Sequence, residues 1–185
     1  MTTQVTSVPN VIDALLSKIR ALTAVTGAQP PVLVYDGPPG PDEPDLYVTV
    51  GGGTEVVSDG RQTVASLGSA ATKPASFDEN YAISGWVYSF VGGGDDAGVA
   101  GVSDAQKTAR DNAYTIFEAI STAIQNDPTL AAETSVFPDG NGLASGWINV
   151  EDHRLEQTNP DDDKSAFGRW AFVHWTVRVH KRLYT

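Results

Sequence analysis

The closing stretch "GRWAFVHWTVRVHKRLYT" constrains the fold more than any other part of the chain. Read at a period of two, it places Ala171, Val173, Trp175, Val177 and Val179 on one face. Trp170, Phe172, His174, Thr176, Arg178 and His180 fall on the other. A wholly apolar face backed by a mixed one is the pattern of a β-strand covered on one side. The mixed face begins aromatic and ends basic, and a face of that kind commonly meets a partner.

The rest of the chain supplies the cover. "SVPNVIDALLSKIRAL" has Ser7 as a candidate cap, Pro9 in the first turn, and Val11, Ile12, Leu15, Leu16, Ile19 and Leu22 as one stripe. The spacing predicts a helix over 9–25, with Lys18 and Arg20 favoured near its C-terminal end by the helix dipole. A second helix is predicted over 103–126, opened by a Ser103–Gln106 capping box. Its stripe is Ala105, Ala109, Ala113, Ile116, Phe117, Ile120 and Ile124. Strands are expected at "PVLVYDG", at "DLYVTV" with Leu46, Val48 and Val50 on one face, and at "ASGWINVEDHRLEQT". Asp59–Gly60 reads as a hairpin turn. "ENYAISGWVYSFVGGG" carries large apolar groups on both faces, as a central strand covered on both sides does. Extended loops are expected at 36–44, 53–74 and 159–167. The fold class is α+β, one domain over 1–185, with a mainly antiparallel sheet packed against two amphipathic helices.

Charge is unevenly spread. The chain has formal net charge −11, which argues against a broad grip on nucleic acid phosphates. Residues 164–185 hold five Lys/Arg and no acid, while 1–163 hold seven Lys/Arg against all 23 acids. Such a split permits electrostatic pairing between copies of the chain. Without cysteine there is no disulfide or thiolate metal site. No apolar run has membrane-spanning length, so no membrane partner is expected. "MTTQVTSVPN" lacks the basic and apolar regions of an export signal.

Catalytic and metal chemistry finds little support. Asp161, Asp162 and Asp163 are adjacent, unlike the alternate ligands of a calcium loop, and read as a solvated turn. His174 and His180 share a face but stand roughly 20 Å apart. His153 can approach one of them across the last hairpin, yet no nucleophile and acid accompany it. The Gly runs at 51–53 and 92–94 lack phosphate-loop spacing. No cofactor, metal or catalytic residue is expected.

Taken together, "VPNVIDALLSKIRAL", "YAISGWVYSFV", "SDAQKTARDNAYTIFEAISTAIQ" and "GRWAFVHWTVRVHKR" make the chain resemble the tail terminator family of long-tailed bacteriophages, from about residue 7 to 182. The resemblance implies a phage tail-terminator-like fold and a virion protein at the tail–head junction, assembled in the host cytoplasm. It implies a hexameric ring that caps the tail tube, stops its growth and later meets the head's connector. Its partners would be other copies of itself, the tube protein and the connector protein, with duplex DNA passing through the lumen without specific binding. The candidate subunit interface is Trp170, Phe172, His174, Arg178 and Arg182. Another neck or tail component, such as a head-closure or tail-tube protein, and a non-enzymatic small-ligand-binding domain are the alternatives.

Overall fold

The computed structural model describes residues 7–29, 31–41, 43–51, 59–63, 76–92, 99–130, 146–157 and 168–184, with backbone alone along 59–63, 76–78, 99–103 and 182–184. In chain order the elements are α1 (Val8–Arg20), α2 (Thr23–Thr26), β1 (Leu33–Asp36), β2 (Leu46–Val50), β3 (Asp59–Thr63), β4 (Ser76–Gly92), α3 (Val99–Asn126), β5 (Gly146–Gln157) and β6 (Gly168–Tyr184). The sheet runs β1-β2-β4-β6-β5. The β1–β2 pair is parallel and the others are antiparallel. β4 and β6 pair along their whole length, from Ser76↔Tyr184 to Gly92↔Gly168. The other edge of β4 is shared end to end by β2, opposite residues 85–89, and β3, opposite 77–80.

The α+β class and the mainly antiparallel sheet agree with the sequence. The inward face of β6 is Ala171, Val173, Trp175, Val177 and Val179, all buried. Against it lie the buried α3 residues Ala109, Ala113, Ile116, Phe117, Ile120 and Ile124, and α1 adds Val11, Leu15, Leu16 and Ile19. Trp175 is the largest fully buried side chain, and it fits because its cross-strand partner is Gly85. A Cβ on Gly85 would stand 2.2 Å from the Thr49 carbonyl and 2.4 Å from the Trp175 ring. Lys18 reaches past the end of its own helix to Asp127, at 2.9 Å, and ties α1 to the end of α3.

Several local readings are corrected. The first helix stops at Arg20, because Leu22 is extended (φ −66, ψ 136) and the chain restarts as one turn. Thr23, Val25 and Thr26 are β-branched and propagate a helix weakly. Ser7 makes no cap hydrogen bond. Its amide and hydroxyl both donate to Glu79 (2.9 and 2.6 Å), and its Oγ lies 2.9 Å from the Tyr81 hydroxyl. α3 begins at Val99, so Ser103 lies inside it, and Gln106 donates to the Trp170 carbonyl at 3.2 Å rather than closing a capping box. One glycine, Gly101, costs a helix about 1 kcal/mol, which a long packed helix tolerates. Asp59 and Gly60 lie within strand β3, paired with β4, instead of forming a hairpin turn. Most of the expected loop 53–74, the loop 159–167 and the Asp161–Asp163 run fall outside the described residues.

Candidate functional site: the open face of the sheet

β4 was expected to be covered on both sides. It is central in the sheet, but the described helices pack only on the Tyr81, Ile83, Val87 side. Ala82, Ser84, Trp86, Tyr88 and Phe90 point the other way and are only partly buried. The large groups there are explained by one another. The pairing register sets them in rows across the strands: Phe90 beside Trp170, then Tyr47, Tyr88 and Phe172, then Thr49, Trp86, His174 and Arg154. Ring centroids in this patch lie 5.8 Å (Tyr35–Tyr47), 4.9 Å (Tyr47–Tyr88), 4.7 Å (Tyr88–Phe172) and 5.3 Å (Trp170–Phe172) apart. Cross-strand aromatic pairs of this sort stabilise a sheet while leaving ring area in water.

The phenols mark the acidic side of the patch. Burial pushes the Tyr47 hydroxyl up to about 12, opposed by the Trp86 indole and aided by Glu43, whose carboxylate accepts its hydrogen bond at 3.4 Å. Burial raises Tyr88 as well, with Glu43 and Asp45 adding to it. Further along the face the rows turn polar. Arg178 places Nε and Nη2 on Glu151 Oε1, at 3.0 and 2.9 Å. His174 Nε2 lies 3.2 Å from Glu156, and His180 Nδ1 lies 2.6 Å from Asn80 Oδ1.

Of the residues singled out from sequence, Trp170, Phe172 and His174 come together as one patch, with Phe172 and His174 stacked at 5.7 Å. Arg178 shares their face but is six residues from Phe172, roughly 20 Å along the strand, and already has an acid partner in its own chain. The Arg182 backbone pairs with Asp78, and its side chain lies outside the described residues. His153 does not approach His174 or His180. A bulge between Val150 and Asp152 shifts the alternation of β5, so His153 pairs with Trp175 and stacks on Phe117, 4.8 Å away on the helix side.

Sequence reading missed Tyr47 as part of the patch, and it missed Leu33 and Trp147. These last two are 48% and 44% exposed, the exposed large hydrophobic side chains among the described residues. The signal was the alternation in "LVYD" and "GWINV", too short to separate an exposed position from a buried one.

Catalytic geometry is sparse. The Ser7 hydroxyl contacts a carboxylate and a phenol, but Ser7 is fully buried, which suits a structural knot better than a nucleophile. Near it, Lys181 pairs across the strands with Glu79, and burial lowers its pKa while Glu79 opposes the shift. Among the described residues no three His, Asp or Glu side chains are placed to hold a metal ion, and no helix is long and apolar enough to cross a membrane. A cleft of about 270 Å³ lies between α2 and α3, lined by Thr23, Gly27, Gln29, Asn112 and Thr115 among others. That is below the roughly 300–1,000 Å³ of small-molecule sites, and it lacks their aromatic lining.

No protein-family model matches the chain, and no curated protein matches it. Among solved structures it is similar to a chain of the "Virion of native gene transfer agent (GTA) particle", at 19% identity and a TM-score of 0.40, over 96% of this chain and 99% of that one.

Proposed function

We propose that the chain is a non-catalytic structural subunit of a virion that joins copies of itself into a ring on the end of a tail tube. The ring ends tube growth and forms part of the surface that later meets the head, with DNA passing through its lumen unbound. The observation that carries this reading is the open face. A sheet that buries one side under helices leaves Trp86, Tyr88, Phe90, Trp170 and Phe172 partly exposed on the other. Aromatic residues in a contiguous patch are typical anchors of protein interfaces. The likeness of the sequence to tail terminators supplies the ring, its hexameric count and its place; the physics supplies the contact surface.

The test measures particle mass by light scattering for the free chain and again with tail tubes added. Tubes of uniform length, each bearing a ring of this chain, are the expected result. A Trp170→Ala variant that still folds should cap poorly. A chain that stays monomeric and leaves tube length uncontrolled would rule the proposal out.

A further inference from the structure

The two long helices are fastened by different chemistry. α1 rests against β1 and β2, whereas α3 lies across β4, β5 and β6. Both bury an apolar stripe, but their polar ties differ. At the front of α1 the Glu79 carboxylate accepts from the Ser7 amide and hydroxyl, and that hydroxyl also meets Tyr81. At the back, Lys18 Nζ lies 2.9 Å from Asp127 Oδ2. Both acids come from outside α1, and both grip groups withdrawn from water, since Ser7 and Lys18 are buried. A third tie, Arg20 to the Val34 carbonyl, is exposed and contains no acid. α3 reaches the sheet through a neutral bond, Gln106 to the Trp170 carbonyl. Its Asp111 pairs with Lys107 and Arg110 of the same helix, and its Asp104 and Glu118 are exposed.

Hydrogen bonds to an ionised group are the stronger ones, and losing one costs most where water cannot replace it. The described groups around Glu79 are Ser7 from α1, Tyr81 from its own strand and Lys181 from β6. Burial holds the Tyr81 phenol in its protonated form, so it adds no charge. Burial also drives Lys181 toward its neutral form, and the Glu79 charge opposes that. A neutral Glu79 therefore leaves a buried ammonium without that opposing charge. Around Asp127 stand Lys18 and the Thr129 hydroxyl. Each acid is held by donors that favour its ionised form. Its contribution is complete at neutral pH and is lost as the pH falls toward about 4, where carboxylates take up protons.

We propose that α1 is an acid-released cover: protonation of Glu79 and Asp127 loosens it from the β1–β2 side of the sheet while α3 stays packed. Opening bares the apolar side of β2, where Val48 and Val50 are now fully buried. The device is independent of the ring reading, because both clips lie within one chain.

Hydrogen exchange read by mass spectrometry at pH 7 and pH 4, corrected for the intrinsic rate at each pH, tests this. Protection over residues 11–20 should fall at pH 4 by about tenfold more than over residues 113–124, a sub-global opening. Glu79→Gln and Asp127→Asn keep shape and an acceptor but not the charge. Each should lower α1 protection already at pH 7 and shrink its further loss at pH 4, and the pair together should abolish the step. Where the double variant does not fold, the step sizes of the single variants decide. His153, exposed and stacked on Phe117, is the titratable ring against α3, and His153→Gln removes its part from the α3 signal. Helices that lose protection in parallel would overturn the proposal. So would an α1 fully protected at pH 4, or charge-neutral variants that keep the wild-type step.

Discussion

Strand β6 has to satisfy two environments at once, and its two faces do so differently. Toward the helices it offers Val173, Trp175, Val177 and Val179, each at most 2% exposed and packed against α3. Toward the other side it offers Trp170, Phe172, His174, Thr176, Arg178 and His180, all partly exposed. The inner face is held by excluded water and close packing, so its tolerance for change is small. The outer face is held by ring-to-ring contacts and by Glu151–Arg178 and Glu156–His174 pairs that remain in reach of solvent. Exposed pairs of that kind contribute little to stability. The difference teaches that one set of alternate residues carries the core while the other, on the same strand, stays at the surface.

Substitutions can break that division in order of expected size. Trp175→Ala removes the largest side chain of the inner face and should cost about 3–5 kcal/mol in denaturant unfolding. Phe117→Ala, across the same interface and 6% exposed, belongs in that range. A loss near zero for either would mean that the inner face is not the core. Gly85→Ala tests the same packing from the opposite direction. The added methyl has no space beside Trp175 and Thr49, so a loss of about 1–3 kcal/mol is expected, and a variant as stable as wild type would contradict the close approach.

Ser7→Ala probes the polar end of the inner face. It deprives Glu79 and Tyr81 of a buried partner, and thermal unfolding should register about 1–3 kcal/mol. On the outer face, Trp170→Ala should cost only about 1 kcal/mol, near the worth of one aromatic pair. A much larger loss would make that face part of the core and end the comparison. The smallest effect is one of shape. Tyr47 keeps its proton more tightly when folded, with a pKa raised from 10.0 to about 12. Its contribution is therefore complete below pH 10 and is lost as the pH rises through about 12. Tyr47→Phe should flatten the fall in stability across that window, and an unaltered alkaline profile would show that Tyr47 is not the group responsible.

Much of this division was legible in the sequence because strand alternation is strictly periodic. The inner residues of β6 and the stripe of α3 follow directly from "WAFVHWTVRV" and "ARDNAYTIFEAISTAI". Boundaries that depend on competing partners were not legible. Ser7 has a capping side chain, but Glu79, 72 residues away, offers a charged acceptor and takes both its donors. Gln106 fits a capping box, but the Trp170 carbonyl lies within its reach. The single bulge in β5 reverses the facing of His153, and nothing local in "NVEDHR" announces it. Arg178 reads as a free cation until the register brings Glu151 beside it.

By itself, the sequence determined which residues must leave water: the apolar stripes of both helices and every second residue of the long strands, since hydrophobic period and backbone period coincide. Only the tertiary structure decided what the remaining residues face. That depends on strand order and register, which bring together groups tens of residues apart. So Leu33, Tyr47, Tyr88 and Phe172, drawn from four strands, form one row, while Trp147 lies at the far corner with its ring beside His180.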